Sequence, residues 1–493
     1  MRLNLYLLLP EILFLSSISI LIVKDYIIDS CKMKCDYMLS MLNYVFLSLI
    51  FLYFLELFFY STNNYHLITC NNFYLTEFSI IIKLLCSFLA WSLLLIKKTK
   101  QKPHLHTGLS KRYLIVFCFS FFSLLLFIMS YNFITLILTI ELLGLSCVVL
   151  ITEVELNDQS TTILNKGPSL SYYLMHVTGS IMLLMGVLAI YTVCGTLNLG
   201  ELSLLISEEY QDYQIPFLLN VGLLFLFSGL FIKMGLSPYY SWILRSYRNL
   251  NMFNLAYFLV ILKIAYFSVI YQLLFFIPEL SMHFNNLFLF IALLNIFVGP
   301  LVTIQQTTLK KLLIGSSITN AGYLVIGVCF DLQSFENTYF LSFIIAYSLA
   351  MLGFFLIEGI ASLVFSIQGA TTLADFQRLP SLLKMQFVFI LFCLMGFPPT
   401  FNFFVKIKLL LFLFYYGPFF SYTIFIFSIL AMFYYLSFII NFISVDTCAN
   451  TQPTKAANKD STLYLYEYSL LFLITFLAIN AFPLFISFLP LVT

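Results

Sequence analysis

The sequence predicts an all-α polytopic membrane protein with about 14 transmembrane helices. Of its 493 residues, 61% are hydrophobic and only 9% are charged, and the mean hydropathy is +1.00. Apolar runs of about 20 residues, each long enough to cross a bilayer as a helix, recur along the whole chain. The short alternating segments of a membrane β-barrel are missing. These patterns exclude both a soluble domain and a barrel.

The length of a bilayer-crossing helix decides where each span is placed. We expect the spans near residues 3–23, 39–60, 77–96, 113–130, 132–152, 169–194, 216–236, 252–277, 284–304, 311–330, 338–366, 385–411, 418–444 and 463–489. The loops between them are short, so no second, soluble domain is expected.

The loops alternate in charge along the chain. Most lysines and arginines, such as Lys97 and Arg245, follow odd-numbered spans, whereas loops after even-numbered spans carry acidic residues such as Glu208. Positive loops stay on the matrix or cytoplasmic side of a membrane, so both termini should face the opposite side. That placement needs an even number of spans and agrees with fourteen. The net charge of +2 leaves no basic surface for nucleic acid.

Glycine and proline interrupt two of the spans. Gly235 lies at the end of span 7 and Pro238 just beyond it, and span 12 contains Gly396, Pro398 and Pro399. Such breaks free backbone carbonyls, which must find new partners in lipid. Because the two spans run in opposite directions, the paired breaks predict two inverted five-helix repeats. The predicted segments are the flanking helices 1–110, the first repeat 111–280, the second repeat 281–445, and a loop with a C-terminal helix at 446–493.

Few charged residues fall within the spans. An ammonium group in the hydrocarbon zone costs at least about 2.5–3.5 kcal/mol, so a buried lysine marks a site for a proton or an ion by default. The four principal candidates are Glu141, Lys233, Lys263 and Lys406. By the same boundaries, five more charged residues lie within spans: Glu56, Lys83, Glu358, Lys408 and Glu467.

Opposite charges within one repeat suggest a pair of interacting groups. Glu141 and Lys233 would each favour the charged form of the other, and a nearby Lys263 would make one of the two lysines release its proton more readily. A row of such groups, linked by water, would conduct protons. Two alternatives stay open, namely a static buried ion pair and a Lys233 side chain that reaches to the membrane surface.

Polar residues form a stripe on span 10. Hydroxyl and amide groups there either join neighbouring helices or hold water between Lys263 and Lys406. The stripe consists of Ser316, Ser317, Thr319 and Asn320.

Aromatic residues and isolated histidines have simpler interpretations. Tyr239, Tyr240 and Trp242 follow the first break and are typical of an aromatic belt at the membrane interface. His176 and His283 have no companions at metal-ligand spacing, so we interpret them as structural or interfacial.

Several motifs in order resemble the antiporter-like membrane subunits of respiratory complex I, most closely those of the subunit N type. These are IEL around Glu141, FIKMGLSPYYSW with Lys233, the lysine at position 263, QTTLKKLLIGSSITNAGY, and GFPPTFNFFVK ending at Lys406. The resemblance covers roughly residues 110–445. Lys406 and the short C-terminal region argue against the related subunit 4 and subunit 5 types.

The resemblance implies a proton-translocating subunit of NADH:ubiquinone oxidoreductase that performs no redox chemistry itself. Glu141 would modulate Lys233, Lys263 would pass protons onward, and Lys406 would lie on the exit side. Ser316, Ser317, Asn320 and Tyr240 would support the path. No cofactor is expected on this chain, and NADH, FMN, iron–sulfur clusters and ubiquinone would bind elsewhere in the complex. Expected partners are membrane lipids and other membrane-arm subunits, including a small three-helix subunit and a second antiporter-like subunit.

Two departures from the family pattern put a histidine relay in doubt. Asn320 stands where the family has a histidine in span 10, and Tyr240 stands at the usual histidine after the first break. Asparagine cannot titrate near pH 7, so water bridged by hydroxyl and amide groups would have to serve. A subunit of a multisubunit cation/proton antiporter and a structural membrane-arm subunit without pumping therefore stay as alternatives.

Composition adds a prediction of cellular location. The chain has 57 phenylalanines and 32 tyrosines but only two tryptophans, a bias that suits an AT-rich organellar genome. Together with the resemblance, this bias predicts a multi-pass protein of the mitochondrial inner membrane. The charge pattern then places both termini on the intermembrane-space side.

Overall fold

A computed structural model shows the fold of the chain. It describes residues 8–27, 35–63, 67–69, 72–99, 111–157, 167–209, 217–276, 278–304, 306, 308–334, 338–365, 381–398 and 400–444. The chain divides into two compact units. The first contains Met1–Leu250 and Tyr257–Phe284, and the second contains Asn251–Ala256 and Asn285–Thr493.

The first unit is built from helices that pack around α4, α6 and α11. These helices are α1 (Leu9–Ile27), α2 (Cys35–Asn63), α3 (Glu77–Thr99), α4 (Lys111–Ile128), α5 (Phe133–Asn157), α6 (Gly167–Cys194), α7 (Leu199–Glu209), α8 (Phe217–Met234), α9 (Ser241–Tyr247) and α11 (Leu262–Phe276). A π-helix, Tyr257–Ile261, leads directly into α11.

Glycines allow α6 and α8 to pack closely in an antiparallel pair. A Cβ placed on Gly186 would lie 2.6 Å from the carbonyl oxygen of Gly222, and one on Gly179 would lie 3.2 Å from that of Gly229. The glycines are seven residues apart on each helix, so both contacts fall on one helix face. Small residues of this kind let helix backbones approach each other inside a membrane.

A two-stranded sheet between α2 and α3 is an addition that the sequence did not predict. Strands β1 (Leu67–Thr69) and β2 (Phe73–Leu75) pair antiparallel, with Leu67 opposite Leu75. The amide of Tyr74 donates to the carbonyl of Met129 at 3.0 Å, which ties the sheet to the end of α4.

The second unit contains α10, α13 to α17 and most of α12. The bounds are α10 (Met252–Ala256), α12 (Pro278–Ile304), α13 (Leu309–Ser334), α14 (Thr338–Phe365), α15 (Ser381–Met395), α16 (Phe401–Tyr416) and α17 (Pro418–Ser444). Helix α14 packs against α10, α13, α15 and α16. Among the described candidate spans, Leu309–Cys329 on α13 is the most deeply buried.

The prediction of an all-α polytopic membrane protein is confirmed. Within the described part of the chain, 11 helices are long and apolar enough to cross a membrane, and Leu9–Val23 and Leu383–Met395 form shorter apolar helices. Each of the first thirteen predicted spans overlaps a described helix. The eighth covers α10, the π-helix and α11, and the twelfth overlaps both α15 and α16, while the fourteenth, 463–489, lies outside the described residues.

Candidate functional site

Lys233 and Glu141 form an ion pair inside the first unit. The Lys233 Nζ lies 2.8 Å from Oε1 of Glu141, and the lysine side chain is fully buried whereas 35% of the glutamate side chain is exposed. Helix α8 carries the lysine and α5 carries the glutamate, and both helices pack on α6. The buried ammonium group therefore has a counter-charge at contact distance, as a charge in hydrocarbon requires.

Helix α6 adds two side chains to this ion pair. His176 places Nε2 at 3.2 Å from the Lys233 Nζ and Nδ1 at 3.8 Å from Oε2 of Glu141. The Ser180 hydroxyl contacts Oε1 of Glu141. His176 and Ser180 are four residues apart and so share one face of the helix. We call Glu141, His176, Ser180 and Lys233 the Lys233 cluster.

The hydrogen-bond donors of the Lys233 cluster determine which ring nitrogen of His176 acts as an acceptor. An ammonium group only donates hydrogen bonds, so Nε2 of His176 must accept in this geometry. The ring proton of a neutral His176 then lies on Nδ1, on the side of Glu141. The imidazole thus lies beside the ion pair, with one nitrogen toward the amine and the other toward the carboxylate.

Two glycines make room for these side chains. A Cβ on Gly144, one turn after Glu141, would lie 1.6 Å from Nε2 of His176. A Cβ on Gly179 would lie 2.8 Å from Cγ of Lys233. Glycine at both positions therefore leaves space that the His176 ring and the lysine stem occupy.

The first helix break follows Lys233 directly. Gly235 has a φ of +64°, and the amides of Gly235 and Leu236 donate to the carbonyls of Ile232 and Phe231, each at 3.0 Å. This is a Schellman motif, which glycine favours because the left-handed conformation strains other residues. The Nε1 of Trp242 also donates to the Ile232 carbonyl, at 3.1 Å.

Lys263 lies on α11, immediately after the π-helix, and is only 4% exposed. Single π-turns occur frequently at functional sites. Tyr266 follows three residues later, on the same helix face, and lies within electrostatic reach of Glu141. Helix α11 also packs against α8, so it brings Tyr266 toward the Lys233 cluster.

Lys406 has a different set of partners, in the second unit. Its Nζ donates to the carbonyl of Met395 at 3.1 Å and lies 4.9 Å from the ring centroid of Tyr323. Met395 ends α15, and Gly396 follows with a φ of +78°. The side-chain amide of Asn402 donates to the carbonyl of Cys393 at 3.0 Å. Side chains of α16 thus satisfy carbonyls that the second break frees.

The hydroxyl groups of the polar stripe on α13 donate hydrogen bonds to backbone carbonyls of the same helix. Ser316, Ser317 and Thr319 donate to the carbonyls of Leu313, Ile314 and Ser316 at 2.9, 2.6 and 2.7 Å. Asn320 is buried on the same helix. On α17, Tyr434 lies beside Thr319, and Tyr435 lies beside Ser316. A layer of hydroxyl groups therefore lies between α13 and α17.

Comparison with known families decides the classification. The model of the family described as NADH:quinone oxidoreductase/Mrp antiporter, transmembrane, matches residues 130–432, which is more than half of the chain. The chain belongs to this family. The matched region includes Glu141, Lys233, Lys263 and Lys406, and it begins after α1, α2, α3 and α4.

A curated relative is similar to about two thirds of the chain. NADH-quinone oxidoreductase subunit N from Ruthia magnifica subsp. Calyptogena magnifica is 23% identical over 325 residues, which are 66% of this chain and 64% of the relative. The chain thus spans slightly less than two thirds of the length of this curated relative.

Two solved structures resemble most of the chain in fold. A chain of respiratory complex I from Thermus thermophilus, solved with bound aureothin, has a TM-score of 0.69 and 16% identity, and the match covers 95% of this chain and 97% of that one. A chain of the Mrp complex from Dietzia sp. DQ12-45-1b has a TM-score of 0.70 and 17% identity, with 87% and 79% covered.

The structure brings together some of the predicted site residues and leaves others apart. Glu141 and Lys233 are in contact, whereas Tyr240 is half-buried and, among the described residues, makes no hydrogen bond to either of them. Pro238 follows Ser237 through a cis peptide bond. Pro398 is exposed, and Pro399 lies outside the described residues.

Burial selects the structural alternative for His176 and does not support a lipid-facing belt position for Trp242. His176 is buried against Lys233, and Trp242 is buried with its Nε1 bonded to the Ile232 carbonyl. The spacing of His176 and Ser180 on one helix face was the available signal for the first. The side chain of His283 lies outside the described part of the structure, so its interpretation stays a prediction.

Proposed function

We propose that this chain is a proton-translocating membrane-arm subunit of a mitochondrial NADH:ubiquinone oxidoreductase. Protons would move along a buried axis of Glu141, Lys233, Lys263 and Lys406. The observation that carries the proposal is the Lys233 cluster, a fully buried amine paired at 2.8 Å with a carboxylate next to a broken helix. Charged residues held this way inside a membrane typically mark a proton or ion pathway.

The ion pair can act as a switch because its two members differ in exposure. The Glu141 side chain is partly exposed, so a charge that appears or disappears beside it acts on the carboxylate directly. Lys233 is fully buried, and Glu141 favours its charged form. A change of charge at a neighbouring subunit would then change how firmly Lys233 holds its proton, which couples the two sites through a free energy.

Hydroxyl groups support the transfer steps beyond the ion pair. Tyr266 lies three residues from Lys263 and within electrostatic reach of Glu141, so its hydroxyl can bridge the two with water. In the second unit, Tyr434 and Tyr435 lie beside the stripe of α13. These groups would serve where Asn320 replaces the family histidine, because hydroxyls both donate and accept hydrogen bonds.

The cellular setting is part of the same proposal. The abundance of Phe and Tyr suits an organellar genome, and the loop charges put both termini on the intermembrane-space side. Other membrane-arm subunits, among them a small three-helix subunit and a second antiporter-like subunit, would be neighbours. NADH, FMN, iron–sulfur clusters and ubiquinone would bind to other chains of the complex.

Replacement of Lys233 by methionine in the assembled complex tests the proposal. Methionine keeps the approximate length of the side chain and removes the charge. Proton uptake by vesicles should therefore fall by about 10-fold or more relative to the unmodified complex. Lys408→Met is the matched control, because Lys408 is exposed on α16. Proton uptake and NADH oxidation would be measured together. Full pumping by Lys233→Met would remove Lys233 from the mechanism.

The fold shared with a chain of the Mrp complex favours a second candidate, a subunit of a cation/proton antiporter. Isolation of the native assembly separates the two. NADH oxidation with iron–sulfur spectra supports the oxidoreductase, whereas sodium-driven proton exchange without redox centres supports the antiporter. A proton-to-electron ratio that Lys233→Met leaves unchanged in an active oxidoreductase would indicate a structural subunit.

A further inference from the structure

A second buried cluster lies in the N-terminal helices, outside the region that the family model matches. The Lys83 Nζ on α3 donates to Oε1 of Glu11 on α1 at 2.7 Å, and the two side chains are 0% and 3% exposed. The Tyr53 hydroxyl on α2 donates to the same oxygen at 2.9 Å. Lys83 also contacts the sulfur of Met129 and lies 5.6 Å from the ring centroid of Tyr53.

Glu56 places a second carboxyl group beside this ion pair. It lies three residues after Tyr53, on the same face of α2, and within electrostatic reach of both Lys83 and Glu11. Both of its carboxyl oxygens are buried and, among the described residues, have no hydrogen-bond partner. Oε2 of Glu11 is likewise buried without a partner. Three buried carboxyl oxygens of Glu11 and Glu56 thus have no donor among the described residues, whereas Lys83 and Tyr53 both donate to the fourth.

The charges of this cluster balance only if one carboxyl group carries a proton. Lys83 supplies one positive charge, and Glu11 already accepts its hydrogen bond. A second buried carboxylate without a hydrogen bond would carry the large free-energy penalty of an unpaired buried ion. Two carboxyl groups that share one counter-charge therefore share one proton.

We propose that Glu11, Tyr53, Glu56 and Lys83 form a second proton-binding site, in which Glu56 carries the exchangeable proton. In the arrangement described, Glu11 is the carboxylate and Glu56 is the acid. If Lys83 turns from Glu11 to Glu56, the proton leaves the Glu56 oxygen and binds to a Glu11 oxygen, and the total charge stays constant. Glu11 and Lys83 are the charged groups that act on Glu56. Tyr53 interacts with both carboxyl groups and with the Cys86 thiol.

Infrared spectroscopy on the full chain in its native membrane assembly tests this site directly. At neutral pH, the carbonyl stretching band of one protonated carboxylic acid per chain should disappear in Glu56→Gln. The same band in the unmodified protein should shift after transfer to D2O, because the proton exchanges. Glu77→Gln is the matched control, since Glu77 is exposed at the start of α3 and should leave the band unchanged.

Two further variants keep the test decisive if Glu56→Gln fails to assemble. Glu56→Asp should retain an acid band at a shifted frequency. Tyr53→Phe removes a donor to Glu11, so it should move the proton toward Glu11 and change the band. Either result supports the proton site, and an unchanged band in both variants contradicts it.

Several results would overturn the proposal. An identical spectrum in Glu56→Gln means that Glu56 is ionised, and a band that does not shift in D2O means that its proton does not exchange. Loss of the band on addition of sodium would reassign the cluster to a metal cation. The readout is spectroscopic and does not depend on pumping, so its failure is distinct from a failure of the proposed function.

Discussion

The two broken helices end in the same way but hold their lysines on opposite sides of the break. Gly235 and Gly396 both have positive φ angles, +64° and +78°. Each is followed by a residue whose amide donates to the carbonyl five positions earlier, at 3.0 and 3.1 Å. Lys233 belongs to the helix that ends at the first break, whereas Lys406 belongs to the helix that begins after the second. The same backbone motif is thus combined with a lysine before the break in one unit and after the break in the other.

The partners of the two lysines differ in kind. Lys233 contacts a full negative charge, Glu141, at 2.8 Å. Lys406 contacts a carbonyl dipole and the face of an aromatic ring, and among the described residues it forms no salt bridge. A carboxylate can gain or lose its charge, whereas a carbonyl and a ring cannot. The comparison teaches that the first unit can receive an electrostatic signal through a carboxylate in contact with its lysine, a contact that Lys406 does not make with any described residue.

The largest effect is expected when the carboxylate of the first site is removed. Glu141→Gln keeps the size of the side chain and deletes the charge that Lys233 faces, so proton uptake should fall by about 10-fold or more, within the usual range of coupling between sites. Glu201→Gln, at an exposed position on α7, is the control. Proton uptake by vesicles that oxidise NADH is the measurement. Normal uptake by Glu141→Gln would make the two lysine sites equivalent and break the comparison.

A methyl group at Gly144 should disturb the first site without any change of charge. The new Cβ would lie 1.6 Å from Nε2 of His176, so the buried ring must move away from Gly144, and its contact with Lys233 must change. Overpacking of this kind costs about 1–3 kcal/mol. Gly167→Ala is the matched control, because nothing lies within 4 Å of a Cβ at that position. The thermal midpoint of the purified assembly should fall for Gly144→Ala alone, and equal midpoints would show that the ring is not confined.

A series of three alanine variants compares the two breaks at the backbone. Gly195 has a φ of +69° and open space around a Cβ, so Gly195→Ala measures strain alone, about 1–2 kcal/mol. Gly396→Ala adds a contact at 3.1 Å with the flexible Lys406 stem. Gly235→Ala adds a clash at 1.9 Å with Ile243, worth about 1–3 kcal/mol more. The loss of thermal stability should be largest for Gly235→Ala, smaller for Gly396→Ala and smallest for Gly195→Ala. A reversed order would contradict the packing argument.

Sequence reasoning predicted the spans well because lipid leaves the backbone few choices. A run of apolar residues in hydrocarbon must be helical, and its length follows from the bilayer. The two breaks were also readable, because Gly235 and Gly396 are the residues that a Schellman motif favours. The short helix α7 and the β1–β2 sheet were missed because they lie in loops, where this constraint does not act.

The candidate site was predictable only in part, for physical reasons. A buried lysine needs a partner, so Glu141 could be proposed for Lys233 from charge alone. The same rule could not assign His176, whose role depends on Gly144 and on the packing of α5 against α6. The rule also could not pair Lys83 with Glu11 or Glu56, because separation along the sequence does not tell which helices are in contact. Tertiary packing decides these contacts.

The smallest effect is expected at the aromatic partner of Lys406. Tyr323 offers its ring to the ammonium group at 4.9 Å, and its buried hydroxyl has no hydrogen-bond partner among the described residues. Tyr323→Phe keeps the ring and removes an unsatisfied group, so stability should stay the same or rise slightly. Tyr323→Leu removes the ring and should cost about 1–2 kcal/mol through the lost cation–π contact.

Thermal unfolding of the assembled complex compares the two Tyr323 variants, and proton uptake separates stability from function. If Tyr323→Phe pumps normally while Tyr323→Leu unfolds earlier, the ring stabilises Lys406 and the hydroxyl does not relay protons. If Tyr323→Phe loses proton uptake at unchanged stability, the hydroxyl acts in the path, and the second site has a titratable neighbour after all. In that case both lysines would have a titratable partner, and the two sites would differ only in how strongly that partner interacts with the lysine.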